Sequence, residues 1–386
     1  VKGSLVDARP DDMSAFIIED AIGKVPGLDK AAIEDVIWGC GQPAGEAGYN
    51  VGRVAALLAG LDNAPGVTVN RYCSSSLQTI RMAAHAIKAG EGDCFVAGGV
   101  ETVSRYMHGA SDTGPHNEGF SAAEARTTER SESDAADWTP LAGALPDIYI
   151  AMGQTAENVA QLKQVSRQRQ DEFGVRSQNR AEAAQNRGFF EREITPYTLP
   201  DGTVVSTDDG IRPGTTLEKV SQLNPVFRPD GTVTAGNACP LNDGAAAVVV
   251  MSETRANELG LTPLARIVAS SVAGLNPEIM GLGPVPAVQK VLATAGMSIG
   301  DMDLVEINEA FAVQVLASAD ELGIDIDGQL NVNGGSIALG HPFGMTGARI
   351  MATLINGLDD ADKQFGLETM CVGGGQGMAM IIERLS

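Results

Sequence analysis

Two cysteines and one histidine, far apart in the chain, sit where thiol chemistry could be done. Cys73 follows a short apolar run, Val67-Thr68-Val69, and immediately precedes a helix-forming stretch from Ser75. A thiol at a helix N-terminus faces the positive end of the macrodipole and free backbone N–H groups. That setting favours thiolate over thiol and offers donors to a developing oxyanion. On position alone, Cys73 reads equally as a nucleophile and as a buried core cysteine. His341 lies in Asn333-Gly334-Gly335-Ser336-Ile337-Ala338-Leu339-Gly340-His341-Pro342, with Gly344 and Gly347 following. Glycines let backbone approach a ligand and Pro342 stiffens the turn, so His341 is a credible base for Cys73. His85 reads as a helix-face residue, and His108 and His116 as solvated side chains of a polar stretch.

Cys371 ends an apolar strand and enters Gly373-Gly374-Gly375, a turn that exposes N–H groups beside a thiol. Asn308, in Asn308-Glu309-Ala310-Phe311, follows another strand. Taken singly, the glycines are a turn, and Asn308 either caps a helix or orients a water.

The elements that must position these residues alternate. Ser14–Ile22, Val54–Ala59 and Ser75–Ala89 read as helices; Asp35–Trp38, Val67–Val69 and Cys94–Val103 as short buried strands. Strand, helix, strand at this spacing is the βαβ pattern of a parallel sheet. Ser104–Asp147 is a long polar excursion, read as a mobile lid or an oligomer loop. Ala156–Arg187 reads as polar helix and Pro196–Asp230 as loop. Apolar elements resume at Ala245. Asp303–Ile307 is a strand, Ala310–Ala319 and Gly347–Leu358 are helices, and Gly366–Cys371 and Gly377–Ile382 are strands joined by glycine. Cys94–Val100 and Met370–Gly375 are both strands that run into glycines after a helix, a likeness that fits an internal duplication.

The chain has 386 residues, enough to bury a large core without disulfides or metals. Its net charge of −22 argues against non-specific binding to nucleic acid or an anionic membrane. The most apolar run, Ala245–Met251, is too short to span a bilayer. The opening Val1-Lys2-Gly3-Ser4 has no signal pattern, and the five cysteines are odd in number and form no CxxC pair. A soluble, cytoplasmic protein in a reducing compartment is the expectation.

Four segments together resemble the thiolase family: Asn70-Arg71-Tyr72-Cys73-Ser74-Ser75-Ser76-Leu77, Asn308-Glu309-Ala310-Phe311-Ala312, Gly340-His341-Pro342 and Cys371-Val372-Gly373-Gly374-Gly375. A fifth, Gly231-Thr232-Val233-Thr234-Ala235-Gly236-Asn237, is similar to the family's substrate-contacting stretch. The resemblance covers essentially the whole chain. It implies an α/β fold of two similar βαβαβαββ halves stacked as five layers, αβαβα. The first half would be residues 1–103 and 234–252, with the expected first strand missing and Gly3-Ser4-Leu5 resembling the segment after it. An inserted loop domain covering CoA would run over 104–233, and the second half over 253–386.

The resemblance also implies roles. Cys73 takes the acyl group as a thioester, His341 withdraws its proton, and Cys371 exchanges a proton with the leaving or incoming group. Asn308 holds a water that forms one oxyanion hole with His341, while the N–H groups of Cys73 and Gly373 form the other. Met152, Arg212, Ala235, Gly236, Cys239, Met280 and Phe311 match positions of the CoA or acyl pocket. The implied activity is cleavage of 3-ketoacyl-CoA by CoA, or the reverse condensation, with ping-pong kinetics. Dedicated acetoacetyl-CoA formation is the alternative, and a decarboxylating synthase or a non-catalytic CoA-binding scaffold lies further off. CoA and acyl-CoA would be substrates, with no tightly bound cofactor and no metal. A homodimer or homotetramer is implied, with other β-oxidation enzymes as possible associates.

Three positions depart from the family pattern. Ser76 stands where glycine is usual, Cys239 replaces a pantetheine-contacting serine, and Ala151 precedes Met152 where short-chain members carry histidine. The last leans towards longer 3-ketoacyl chains. Acidity is also uneven: residues 151–230 hold 10 basic and 11 acidic side chains, whereas 231–386 hold 6 and 17. Cations are thus concentrated where a phosphate-bearing handle would lie.

Overall fold

A computed structural model describes residues 3–106, 114–132 and 138–386. The chain opens with α1 (Pro10–Gly23), then alternates β1 (Asp35–Gly39), α2 (Val51–Leu58), β2 (Gly66–Val69), α3 (Ser75–Ala89) and β3 (Cys94–Thr102). Helix α3 begins and ends where its periodicity predicts, and Gly90 closes it with a left-handed φ of 76°. A long insertion follows. It carries α4 (Ser121–Glu132), α5 (Met152–Lys163), α6 (Arg167–Asn186), a two-stranded ribbon of β4 (Tyr197–Thr198) and β5 (Val204–Val205), and α7 (Leu217–Val220). Then come β6 (Asp243–Met251), α8 (Glu253–Glu258), β7 (Ala265–Gly274), α9 (Pro284–Ala295), β8 (Leu304–Ile307), α10 (Ala312–Leu322), α11 (Ser336–Leu339), α12 (Thr346–Asp360), β9 (Phe365–Val372) and β10 (Gln376–Arg384).

The two main sheets repeat one topology. The first runs β2-β1-β3-β6 and the second β8-β9-β10-β7. In each, parallel strands are followed by an antiparallel partner, β6 on β3 and β10 on β9. Leu330 makes a parallel bridge to Val305 on the outer side of β8, where β2 lies beside β1. β7 pairs with β10; among the described residues nothing takes the matching place beside β6 in the first sheet, which therefore has four strands. Three apolar cores separate the layers. One lies between α1, α2 and the first sheet, one between the two sheets around α3 and α12, and one between the second sheet and α5, α9 and α10.

The central layer is where the halves meet. Gly347 in α12 packs against Leu77 of α3 so closely that a Cβ would strike the Leu77 backbone. Gly344 is threaded between β1 and β3, with Cys40 Cα 2.8 Å from where its Cβ would be. These approaches bring the turn after His341 against the strands that lead to Cys73.

Several sequence expectations change. The polar excursion does contain a helix, α4, and it is pinned to the second half. Trp138 is buried and its Nε1 donates to Glu278 Oε2 at 2.6 Å, while the Asp147 N–H donates to Glu278 Oε1 at 2.9 Å. The polar helical region over 156–187 is helical as expected and is divided between α5 and α6, with a break at Gln164 (φ 52°) and a restart at Ser166, whose Oγ accepts from the Arg169 N–H. The helix expected from Ala310 starts at Ala312, because Phe311 is held extended by a bridge to Ala238. β7 and α9 were not anticipated individually.

Candidate active site

Cys73 is placed by a strained turn. After β2, Asn70 Oδ1 accepts the Tyr72 N–H at 2.8 Å, and Tyr72 adopts a left-handed φ of 40°. A short 3₁₀ turn, Tyr72–Ser74, then feeds α3, and Ser75 Oγ closes it by accepting from Arg71 N–H (2.9 Å) and donating to the Tyr72 carbonyl (2.7 Å). The N–H groups of Gly373 and of Cys73 itself are directed at the Cys73 sulfur. Gly373 lies against the Tyr72 ring, with Cγ 3.3 Å from where a Cβ would be.

The helix N-terminus does not make Cys73 a resting thiolate. Burial pushes its pKa up to about 11, outweighing the two N–H groups that pull it down. At neutral pH the sulfur is a thiol and depends on a base.

His341 is held from all sides. Gly340 turns the chain with φ 90°, and Asn242 Oδ1 accepts the His341 N–H at 3.1 Å. Glu101, at the end of β3, accepts N–H groups from Gly344 (2.8 Å), Gly41 (2.7 Å) and Gln42 (3.1 Å). The ring's Nδ1 is 2.6 Å from Thr346 Oγ1 and its Nε2 is 3.2 Å from Asn308 Nδ2. Burial first, and the charge of Arg349 second, lower the His341 pKa to about 3, so the imidazole is neutral at pH 7.

Asn308 leaves β8 with its N–H on the Thr369 carbonyl (3.1 Å) and its own carbonyl accepting from Gln314 Nε2 (2.6 Å). It is buried and does not cap α10, whose N-cap is Phe311. The next residue, Glu309, fastens the histidine loop. Its carboxylate accepts from Ile337 N–H (3.1 Å), Asn331 Nδ2 (2.8 Å) and Ser177 Oγ (2.5 Å).

Cys371 lies in β9 opposite Gly377, just before the Gly373–Gly375 turn, in which Gly374 and Gly375 take φ of 77° and 76°. Burial pushes its thiol well up, and the nearby Cys73 and Cys239 add to this. Cys239, whose N–H donates to the Ala310 carbonyl at 3.0 Å, is likewise raised by burial and by Cys73. Three thiols thus lie near one another, and Asn308, bonded to His341, precedes by two residues the Ala310 carbonyl that holds Cys239.

Met152 packs, half-buried, against the cluster that contains Met280, Phe311 and Cys371. Phe227 meets Phe311 edge to face at 6.1 Å. Ala235 is exposed and Gly236 half-buried in a tight turn tied by Asn237, whose Oδ1 accepts the Thr234 N–H at 2.8 Å. Arg212 is exposed and borders a different cavity of about 550 Å³, with Asp208, Asp209, Pro342 and Arg349 in its walls and none of the three thiols. Of the other histidines, His85 is exposed on α3, His116 stacks on Tyr149 at 3.8 Å, and His108 lies outside the described residues.

The basic side chains of the insertion are largely committed elsewhere. Arg169 pairs with Asp320, Lys163 with Glu321, Arg187 with Asp360 and Arg192 with Asp359. Arg176 and Arg180 donate to the Leu330 carbonyl. The near-neutral balance of residues 151–230 therefore reflects bonds to the acidic second half rather than a store of unpaired cations.

Sequence reasoning missed Glu101, Thr346, Ser336 and Asn331 as positioners. Only Glu309 carried a signal, by adjacency to Asn308.

Comparison with known proteins gives a consistent result. The family described as thiolase, N-terminal domain, matches residues 1–254, and thiolase, C-terminal domain, matches residues 261–384. A β-ketoadipyl-CoA thiolase of Acinetobacter baylyi is 44% identical over 391 residues, covering 99% of this chain and 96% of its own. A 3-ketoacyl-CoA thiolase of Aeromonas hydrophila is 45% identical over 391 residues, covering 99% and 95%. The crystal structure of a Bacillus anthracis acetyl-CoA acetyltransferase superposes with a TM-score of 0.84 at 39% identity, covering 99% of this chain and 95% of that one.

Proposed function

This chain belongs to the thiolase family and is an acyltransferase, and we propose that it cleaves 3-ketoacyl-CoA with CoA through an acyl-enzyme on Cys73. The products are acetyl-CoA and a shortened acyl-CoA. Relatives named for β-ketoadipyl-CoA and 3-ketoacyl-CoA support this reading over dedicated acetoacetyl-CoA formation.

The observation that carries the reading is the closeness of the Cys73 and Cys371 thiols, with the Gly373 N–H next to the Cys73 sulfur and a neutral His341 bonded to Asn308. Cys73 attacks the ketone carbon of the substrate as its proton passes to His341. The carbon–carbon bond breaks and the acetyl-CoA carbanion takes the proton of Cys371. The acyl group now rests on Cys73 as a thioester, its carbonyl oxygen placed for the Cys73 and Gly373 N–H groups. CoA gives its thiol proton to the Cys371 thiolate and attacks the thioester. Acyl-CoA leaves, and the Cys73 sulfur recovers its proton from His341. Asn308 with His341, together with a water, would hold the thioester oxygen of the enolate.

Neutral His341 suits this cycle because it accepts a proton only when a substrate offers compensating charge. Met152, Met280 and Phe311 give the acyl chain an apolar wall, and Ala235, Gly236 and Cys239 line the approach for pantetheine. CoA is substrate rather than resident cofactor. Residues 104–233 act as the cover, and a homo-oligomer in a reducing, cytoplasmic setting fits five unpaired cysteines. No helix among the described residues is long and apolar enough to cross a membrane.

Loss of the 3-ketoacyl-CoA enolate absorbance on adding CoA tests the activity. No loss, or a loss unaffected by Cys73→Ala, contradicts it.

A further inference from the structure

His341 and Asn308 stand in the middle of a longer chain of hydrogen bonds. Arg349 Nη2 donates to Ser336 Oγ at 2.9 Å, and Ser336 Oγ is 2.6 Å from Asn308 Oδ1. Asn308 Nδ2 is 3.2 Å from His341 Nε2, His341 Nδ1 is 2.6 Å from Thr346 Oγ1, and Thr346 Oγ1 donates to the Pro342 carbonyl at 2.8 Å. Ser336, Asn308, His341 and Thr346 are all buried.

The chemistry of each link fixes the direction of the next. Arginine can only donate, so it occupies one lone pair of Ser336, and the serine proton is directed to Asn308 Oδ1 at 2.6 Å. An oxygen must receive that proton, which orients the carboxamide with its NH₂ towards the ring. Nε2 then accepts, and the ring proton sits on Nδ1. The far end requires the same answer independently. The one hydroxyl proton of Thr346 goes to the Pro342 carbonyl, so Thr346 can only accept from Nδ1–H.

We propose that Ser336, held by Arg349, is a positioning residue that sets the carboxamide orientation of Asn308 and thereby presents His341 with Nε2 free of its proton. The inference rests on His341 acting as the base, which needs that lone pair. Thr346 locks the same tautomer from the other side. The backbone of Asn308 is already fixed by Thr369 and Gln314, so what Ser336 decides is which end of the carboxamide faces the ring.

The direct test is ¹⁵N NMR of the resting full-length protein with labelled histidine, since the chain has only four histidines to assign. One protonated Nδ1 and one unprotonated Nε2 are expected for His341; an Nε2–H tautomer overturns the proposal whether or not the protein is a thiolase. In Ser336→Ala the ring should keep Nδ1–H, still held by Thr346, while the Asn308 carboxamide loses its orientation, and kcat should fall roughly 10- to 100-fold with KM for CoA within about twofold. Ser336→Thr, which restores the hydroxyl, should recover most of kcat. A Ser336→Ala enzyme with wild-type kcat, or Ala and Thr variants equally impaired, contradicts the role. Absence of thiolysis in the wild type would instead strike at the function itself.

Discussion

Ser76 Oγ accepts the backbone N–H of Ala348 at 2.9 Å, tying the helix behind Cys73 to the helix behind His341. Where the family pattern expects glycine, this serine shares a donor in the first turn of α12 with the Met345 carbonyl, which accepts the same N–H at 3.1 Å. Cys73 and His341 are therefore registered to one another through the central helix pair.

Removing that bond should loosen the registration. Ser76→Ala removes one of the two acceptors of the Ala348 N–H, which keeps the Met345 carbonyl at 3.1 Å, and should cost about 0.5–1.5 kcal/mol. Gly347→Ala, which drives a Cβ into the Leu77 backbone, should cost more, roughly 2–4 kcal/mol. Both are read as lower denaturant midpoints in urea, with Gly347→Ala the less stable.

Cys371 should matter most in the half-reaction that makes a carbanion. Acylation of Cys73 by acetyl-CoA releases a CoA thiolate, which can leave without the Cys371 proton far more easily than a carbanion can, so Cys371→Ala should still acetylate. Thiolysis and condensation both move a carbon-bound proton and should fall by roughly 10²–10⁴. Single-turnover acetylation measured beside steady-state turnover checks the split; equal losses in both contradict it.

Two buried groups give stability an opposed dependence on pH. His341 titrates near 3 in the folded chain, against an ordinary value near 6.5. Between those values the unfolded state binds more protons, so this group's contribution is present above pH 6.5 and lost as pH falls. Burial pushes Glu306 the other way, up to about 8, against the opposing charge of Arg349. From about pH 4.5 to 8 the folded state keeps a proton the unfolded state releases, and stability drops by up to ~1.4 kcal/mol per pH unit. Glu306→Gln should lessen the decline on the alkaline side, to which the likewise buried Glu193 and Glu368 also contribute, and leave the side below pH 4.5 unchanged, as measured by urea midpoints from pH 4 to 9.

The residues legible in the sequence are those whose setting is local. Cys73 between a strand and a helix, His341 among glycines, and Cys371 before a glycine turn are short-range patterns, and the structure brings the two thiols near each other. Their holders are not local. Glu101 reaches Gly344 from 243 residues away, and Ser336 matters only because α12 carries Arg349 beside it. The thiolate expected at Cys73 followed from a helix end, but burial dominates the short-range dipole there. The cations of 151–230 looked available in a count, yet only the folded chain shows Arg169 against Asp320 and Arg187 against Asp360. Helix α4 was hidden because it is polar and has no apolar stripe to reveal its period.

The most direct test of the account is to incubate the protein with isotopically labelled acetyl-CoA, quench in acid and map the labelled peptide. The account predicts an acetyl thioester on Cys73, discharged by added CoA and absent in Cys73→Ala. Label on Cys239 or Cys371 instead, or full thiolase turnover with no label at Cys73, contradicts it.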